Sequence, residues 1–237
     1  MPPADALVTD IGARLLYRDA LMLVIDKPAG LPVHPGPKGG ETLTDHLDAL
    51  RFGLPRRPEA IHRLDRDTSG CLVLGRHAKA LARLNKLFAA SGTVVKTYWA
   101  LVEGEPEVGA GEIALPLARR SDDPRSWWMK VDPAGDNALT RFAVLGCGGG
   151  LTWLALSPVT GRTHQLRVHC AAMGFPILGD PIYGTAPRSG SPGLQLHARA
   201  LTLPLYPKKP PIRIEAPAPR HMQVGLAGCG HRGTGSA

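Results

Sequence analysis

One carboxylate stands among cations in the first third of this 237-residue sequence. Asp65 lies between Arg63 and Arg66, and the stretch continues as Asp67-Thr68-Ser69-Gly70, a composition typical of a polar turn. Neighbouring guanidinium groups lower the pKa of a carboxyl group and keep it ionised. An ionised aspartate can attack carbon, so the segment suits covalent catalysis as well as an ordinary solvent-exposed turn.

Signatures of common cofactors are missing from the sequence. No Gly-x-Gly-x-x-Gly follows a predicted strand, and no phosphate-binding loop of the Gly-Lys-Ser/Thr type occurs. Histidines do not stand at metal-ligand spacing from cysteines or carboxylates in a segment that we expect to be ordered. Cys229 and His231 are close in sequence, but they lie in a Gly-rich tail. We therefore predict no metal and no cofactor.

The composition indicates the cellular compartment of the protein and the kind of partner that it binds. The formal net charge of +8 and a pI near 9.6 favour a polyanionic partner such as nucleic acid. The four cysteines are scattered and form no Cys-x-x-Cys pair, which is typical of reduced thiols. No export signal begins the chain, and no apolar run approaches membrane-spanning length. We expect a soluble, cytoplasmic monomer that does not contact a membrane.

The hydrophobic pattern predicts the elements that must position Asp65. Cys71–Leu74 is a short apolar run directly after the turn, which predicts a buried strand that anchors it. The segment 77–90 has an apolar stripe at helical spacing and a basic opposite face. A second helix, about 163–173, would carry His164 and Arg167 together on an exposed flank.

Strand pairs that are adjacent in sequence, with few helices between them, predict the fold class. We expect an α+β fold with a mixed, mostly antiparallel central sheet flanked by helices and loops. Residues 1–14 would form an N-terminal extension, and residues 15–217 one catalytic domain. Residues 218–237 read as a disordered, basic, Gly-rich tail.

Several motifs together resemble those of one enzyme family. The stretch HRLDRDTSG, residues His62–Gly70, resembles the signature of the RluA-type RNA pseudouridine synthases. Further matching segments follow the family's order along the chain: Asp26–Pro35, Lys96–Val102, Thr160–His169, Phe175–Gly184 and Leu196–Ala198. The resemblance spans about residues 15–217 and implies the pseudouridine synthase fold in a member that has only the catalytic domain.

The resemblance also implies a role for each matched residue. Asp65 corresponds to the catalytic carboxylate, and Tyr98 to a tyrosine that lies against the target base. Arg167 corresponds to the basic residue that pairs with the catalytic aspartate. Arg63 matches an arginine that can swing toward the displaced nucleotide or the RNA backbone, and Arg162 is a second candidate for the aspartate partner or for a phosphate contact.

Other residues complete the predicted RNA-binding set. His62 and His164 stand in the matched motifs and are assigned to it. The segment 119–128 would form an insertion near the RNA, where Arg119 and Arg125 contribute charge and the tryptophans stack on bases. The alternative for this segment is a plain surface hairpin.

The implied reaction explains why no cofactor signature is needed. Conversion of uridine to pseudouridine breaks one glycosidic bond and makes another within the same nucleotide, so no atom is gained or lost. Asp65 could add to the sugar or abstract a sugar proton to give a glycal, and both remain open. The uridine must leave its stack, which favours stem-loops of tRNA or ribosomal RNA as substrates.

Two other functions compete with this interpretation. Asp65 and Asp67 could act as the carboxylate pair of a glycoside-cleaving enzyme, which would release free uracil. A non-catalytic RNA-binding or chaperone protein would use the net positive charge to bind RNA and would not need Asp65.

Overall fold

A computed structural model describes residues 10–36, 39–90, 92–123, 127–187 and 193–232. The chain forms two units by its internal contacts, Met1–Lys96 with Ala198–Pro217 and Thr97–His197 with Ala218–Ala237. The predicted catalytic domain contributes to both. No helix within the described ranges is long and apolar enough to cross a membrane.

The sheet of the first unit is built around one buried strand. The strands, in chain order, are β1 (Leu15–Arg18), β2 (Met22–Lys27), β3 (Glu59–Ala60), β4 (Ser69–Gly75), β11 (Leu196–Leu203) and β12 (Ile212–Glu215). Neighbours run β1-β2-β4-β11, while β3 pairs with β4 and β12 with β11. Every residue of β4 is buried, as the apolar run after the turn predicts.

The register of β2 against β4 brings two matched motifs to one edge of the sheet. The strands are antiparallel, with Lys27 opposite Gly70 and Asp26 opposite Cys71. The last residue of β2 therefore lies beside the start of β4. The chain that leaves β2 and the turn that enters β4 consequently meet at this edge.

The first unit has three helical segments in its described residues, of which the sequence analysis predicts the longest. Helix α1 (Ala78–Ala89) begins at His77, whose Nδ1 accepts a hydrogen bond from the Ala80 amide at 3.2 Å. A 3₁₀ helix, Leu43–Leu50, buries its leucines and carries a capping box at its start, and a shorter 3₁₀ segment covers Gly12–Arg14. Buried Leu84 lies on the inner face of α1, as the apolar stripe predicts, and Ala80 is buried as well.

The second unit has an antiparallel sheet in the order β5-β10-β9-β6 and a separate β7-β8 hairpin. The strands are β5 (Val95–Glu103), β6 (Ala110–Ala114), β7 (Leu117–Arg119), β8 (Met129–Val131), β9 (Leu139–Gly148) and β10 (Leu151–Pro158). Gly149 and Gly150 join β9 to β10 with φ of +62° and +77°. Positive φ at both central residues defines the tight turn that suits a hairpin, which explains the glycine pair. The predicted α+β class with a mostly antiparallel sheet is confirmed.

Helix α2 is shorter and more buried than the pattern predicts. It spans Gln165–Ala172, and Leu166 and Cys170 pack in an apolar cluster with strands β5 and β10. His164 precedes the helix in the left-handed conformation, with φ of +52°. Arg167 is 5% exposed. The prediction that these two residues share an exposed helix flank is therefore wrong.

The predicted disordered tail contains a helix. Helix α3 spans Arg220–Gly228 and buries Met222 and Leu226 against the apolar residues of β5 and β10. Side chains at Gly146 and Gly148 would overlap the carbonyl oxygens of Cys229 and Gly228, so these glycines let the end of the helix lie on β9. The Met222 and Leu226 spacing indicates an amphipathic turn, a signal that the glycine content of the tail obscured. Residues 233–237 of the tail lie outside the described residues.

Candidate active site

Asp65 occupies the first position of a tight turn. Its carbonyl oxygen accepts a hydrogen bond from the Thr68 amide at 3.2 Å, which places Arg66 and Asp67 at the two corners. The corner residues are exposed and Asp65 is partly buried. Buried Ser69 follows at once as the first residue of β4. The turn and the anchoring strand are therefore as the sequence predicts.

Gly70 sets how closely the start of β4 can approach β11. Its φ is +107°, a conformation that residues with a side chain rarely adopt. A Cβ atom there would overlap the carbonyl oxygen of Ala198 and lie 2.8 Å from its carbonyl carbon and amide nitrogen. Glycine at the end of the signature is therefore required on steric grounds.

The segment after β2 is hydrogen-bonded to the Asp65 turn. The Gly30 amide donates to the Arg66 carbonyl at 2.9 Å, and Arg66 Nε donates to the Gly30 carbonyl at 3.0 Å. Lys27 Nζ also donates to the Arg66 carbonyl, at 3.0 Å. Lys27 lies inside a matched motif but is not among the predicted site residues, because a lysine is usually expected to be a surface charge.

His62 and Arg63 differ in their surroundings. The His62 ring stacks on Phe88 with centroids 4.9 Å apart, and its Nε2 accepts a hydrogen bond from the Val73 amide at 3.1 Å. Burial, with the charge of Lys96, lowers the pKa of His62 to about 3, so the ring is neutral. Arg63 is exposed. Arg63 is therefore accessible for the predicted RNA contact. The contacts of His62 that the structure describes are with residues of its own unit.

Tyr98 lies on β5, opposite Leu156 of β10. Its side chain is partly buried and packs against the apolar cluster that includes Leu154, Leu156 and Leu166. Strand alternation thus gives this aromatic ring an apolar support. Such a support is what a ring needs if it is to hold a planar base.

Arg167 is held by a buried carboxylate, Asp180, which the sequence pattern does not indicate as its partner. Its Nε and Nη2 donate to the two carboxylate oxygens of Asp180 at 2.7 and 2.8 Å. The side chains are 6% and 1% exposed. Burial alone would raise the pKa of Asp180, but the hydrogen bonds and charge of Arg167 and the amides of Ile182 and Tyr183 lower it below its usual value. This bidentate geometry fixes the plane of the guanidinium group.

A buried hydrogen-bond network holds the start of α2. Gln165 Oε1 accepts from the Thr160 hydroxyl at 2.8 Å and from the Arg162 amide at 3.0 Å. Its Nε2 donates to the Leu139 carbonyl and to the Thr140 hydroxyl oxygen, at 3.0 and 2.9 Å. The third motif is thereby tied to β9, and Arg167 projects from a rigid element.

Arg162 and His164 flank this network. Arg162 is half exposed, donates from Nε to the Asn137 carbonyl at 3.2 Å and pairs with Asp136 at 3.2 Å. The Nδ1 atom of His164 lies 2.8 Å from the hydroxyl of Tyr183. The unit thus brings His164 and Arg167 to one tyrosine, because the Tyr183 ring centroid also lies 5.2 Å from Arg167 Cζ.

The β7–β8 hairpin presents arginines beside tryptophans. Arg119 Cζ lies 5.7 Å from the Trp127 ring centroid, and both residues are exposed. Arg120 lies 5.7 Å from the Trp128 ring. The hairpin contacts the motif region through the Met129 amide, which donates to the Tyr183 hydroxyl at 2.8 Å. Arg125, the other predicted cation of this segment, lies outside the described residues.

Comparisons with known proteins agree on one family. A family model described as RNA pseudouridylate synthase matches residues 21–172. A protein of Zymomonas mobilis, named as an uncharacterized RNA pseudouridine synthase, is 44% identical over 211 residues, 89% of this chain and 95% of its own length. The mitochondrial pseudouridylate synthase RPUSD4 of Xenopus tropicalis is 30% identical across 92% of this chain and 80% of that protein. The solved structure of human RNA pseudouridylate synthase domain containing 4 matches with a TM-score of 0.76 and 30% identity, covering 92% of this chain and 93% of that chain.

Proposed function

The chain belongs to the RNA pseudouridylate synthase family, and on that premise we propose that Asp65 is the essential carboxylate with which it isomerises particular uridines of structured RNA. Family membership confirms the predicted resemblance and carries the activity, isomerisation of uridine in RNA. The observation that supports Asp65 is its place in a hydrogen-bonded turn directly before a fully buried strand. A reacting group on a rigid element loses little free energy to misalignment.

The proposed roles of Tyr98 and Arg167 also follow from the matched motifs and from the contacts that support each side chain. Tyr98 lies against the target base, which its apolar support favours. Arg167 supplies the positive charge that stabilises an ionised carboxylate, and its bidentate bond to Asp180 keeps the guanidinium group oriented. The proposed reaction breaks the bond from C1′ to N1 and makes the bond from C1′ to C5. The proton at C5 is then removed and N1 takes up a proton, so the product is an isomer of the substrate. Attack by Asp65 and glycal formation both satisfy this scheme.

The proposed substrates are stem-loops of tRNA or ribosomal RNA. Net charge of +8 favours a polyanion, and the exposed Arg119–Trp127 pair suits charge and stacking contacts with unpaired nucleotides. Arg63 and Arg162 are exposed enough to reach phosphates. Free thiols at all four cysteines fit a reducing compartment, so we propose a cytoplasmic monomer.

The decisive experiment compares Asp65→Asn with Asp67→Asn on RNA from cells that lack the enzyme. We expect Asp65→Asn to abolish pseudouridine formation and to bind RNA within a few-fold of the wild type. Asp67 is an exposed corner of the same turn, so Asp67→Asn controls for the loss of one negative charge. Normal modification by Asp65→Asn would show that the assignment is wrong.

The competing functions give different products. A glycoside-cleaving enzyme would release uracil, which chromatography of the small-molecule fraction detects. A non-catalytic RNA-binding protein would bind RNA and leave every uridine unmodified in the wild-type incubation. Pseudouridine mapping of the incubated RNA therefore separates all three and also identifies the modified position.

A further inference from the structure

Phe52 has a backbone conformation that an aromatic residue rarely adopts. Its φ is +45°, and Gly53 follows with a φ of +82°. The Leu54 amide donates to the Arg51 carbonyl oxygen at 3.1 Å, so Phe52 and Gly53 are the central residues of a β-turn. Positive φ at both central residues favours Asn-Gly, because a bulky side chain is strained there. The chain therefore has a phenylalanine at a position where the backbone favours asparagine.

The strained residue lies at the surface. Phe52 is 38% exposed, so burial of its apolar surface compensates only part of the strain. Strained residues concentrate at ligand-binding and active sites, where neighbouring contacts hold them. One such contact comes from Arg18, the last residue of β1, whose Cζ lies 4.5 Å from the ring centroid. This pair, the Phe52–Arg18 platform, is of the kind on which a nucleobase stacks.

The segment that carries the ring is basic. Residues 51–57 include three arginines and no aspartate or glutamate. Arg51 pairs with Asp48 at 2.6 Å, which balances one of these charges. Arg18 and Arg56 are exposed, and neither forms an ion pair within the ranges that the structure describes. Cations beside an exposed aromatic ring are the combination that binds single-stranded nucleic acid, since they contact its phosphates while the ring stacks on a base.

The Phe52–Arg18 platform is separate from the Asp65 turn. Arg18 lies opposite Leu23 of β2, and Leu23 lies opposite Leu74 of β4. Leu74 is five positions beyond Ser69, where β4 begins directly after the turn. At about 3.3 Å per residue, Arg18 is at a level of the sheet roughly 17 Å from that turn. A nucleotide at the platform is therefore a different nucleotide from the one at Asp65.

We propose that the Phe52–Arg18 platform is a further RNA-binding site, which stacks one unpaired base of the substrate on the Phe52 ring and binds its phosphates through Arg18 and Arg56. The inference rests on the proposed function, because the occupant is a second segment of the RNA whose uridine is isomerised. The net charge of +8 and membership of an RNA-modifying family favour RNA over an acidic protein at this surface. Stacking accepts every base, so the platform adds affinity and does not select the modified uridine.

The test compares a labelled stem-loop that has unpaired extensions at both ends with the same stem-loop without them, and it measures binding by fluorescence anisotropy. For Phe52→Asn in the full chain, we expect the affinity for the extended RNA to fall about tenfold and the affinity for the blunt RNA to stay within about twofold. The unfolding temperature should stay unchanged or rise, because Asn-Gly suits this turn. Phe52→Tyr is the matched control, since it retains the ring and should bind both RNAs as the wild type does.

Wild-type affinity of Phe52→Asn for the extended RNA, or an equal loss for both RNAs, would overturn the proposal. A fall in unfolding temperature together with weaker binding would also overturn it, because the ring would then have a structural role. If Phe52→Asn does not fold, Phe52→Leu replaces it and should show the same loss, since leucine has no aromatic face. Binding is measured without turnover, so a wild-type protein that binds RNA but forms no pseudouridine would contradict the proposed function alone.

Discussion

Among the residues that the structure describes, each of the two units buries one cation within a matched motif, but the two cations are held differently. Lys27 in the first unit bonds to three neutral carbonyls, whereas Arg167 in the second forms two bonds to the carboxylate of Asp180. Carbonyl partners restrain the path of the backbone. A carboxylate partner instead fixes the orientation of one side chain. Bonds to backbone carbonyls can therefore fix the position of a turn, whereas bonds to a carboxylate can fix the orientation of a guanidinium group.

The difference between these cations has an energetic consequence. Loss of one partner from a buried ion pair leaves an uncompensated charge, whereas a charge satisfied by carbonyls loses little when a nearby exposed carboxylate is removed. Stability measurements on matched Asp→Asn changes therefore test the comparison directly.

The largest effect is expected for Asp180→Asn. The variant removes the countercharge of Arg167, and we expect the free energy of unfolding to fall by about 3–5 kcal/mol, measured by urea titration. Asp67→Asn is the matched change near Lys27, and it should alter stability by less than about 1 kcal/mol because Asp67 is exposed. The double variant Arg167→Met/Asp180→Asn should recover part of the loss. Equal losses for Asp180→Asn and Asp67→Asn would contradict the distinction.

The second effect concerns the signature glycine beside the Lys27 register position. Gly70→Ala must place a side chain against the Ala198 backbone at a φ of +107°. We expect a loss of about 2–5 kcal/mol from the combined conformational and steric costs. Gly53→Ala has a comparable φ of +82° with open space around it, so it should lose only about 1–2 kcal/mol. Similar losses in the two variants would show that packing against Ala198 is unimportant.

A third prediction concerns the pH dependence of stability that the neutral side chain of His62 causes. The folded protein takes up a proton on His62 only near pH 3, whereas the unfolded chain does so near pH 6.5. The unfolded state therefore binds more protons between these values, and stability falls as the pH drops below 6.5, by up to about 1.4 kcal/mol per pH unit. Urea unfolding of the wild type and His62→Gln from pH 7 to pH 5 measures this. The variant should show the shallower dependence, and parallel curves would contradict the prediction.

The smallest effect on stability is expected at the hairpin of the second unit. Trp127→Ala should weaken RNA binding by about 1–3 kcal/mol if the ring stacks on a base. Stability should change by less than about 0.5 kcal/mol, because the side chain is 42% exposed. Fluorescence anisotropy with a labelled stem-loop gives the affinity. Val108→Ala, at an exposed apolar position of the same unit, is the control and should bind RNA as the wild type does.

Local patterns were sufficient for the elements that depend on neighbouring residues. Helix α1 and the turn before β4 follow from helical spacing and polar turn composition. Arg167 and α3 were misjudged for a common reason. Burial depends on what packs against a residue. Neither the contact of Arg167 with Asp180 nor the packing of the end of α3 against Gly146 could be inferred from sequence spacing.

The sequence by itself determined the family and the strand that anchors the Asp65 turn, because these depend on residue types in a contiguous order. Only the tertiary structure decided the partners of the two buried cations. Lys27 reaches a carbonyl 39 positions away and Arg167 a carboxylate 13 positions away. Such contacts depend on strand register and on the path of connecting loops, which no local pattern encodes.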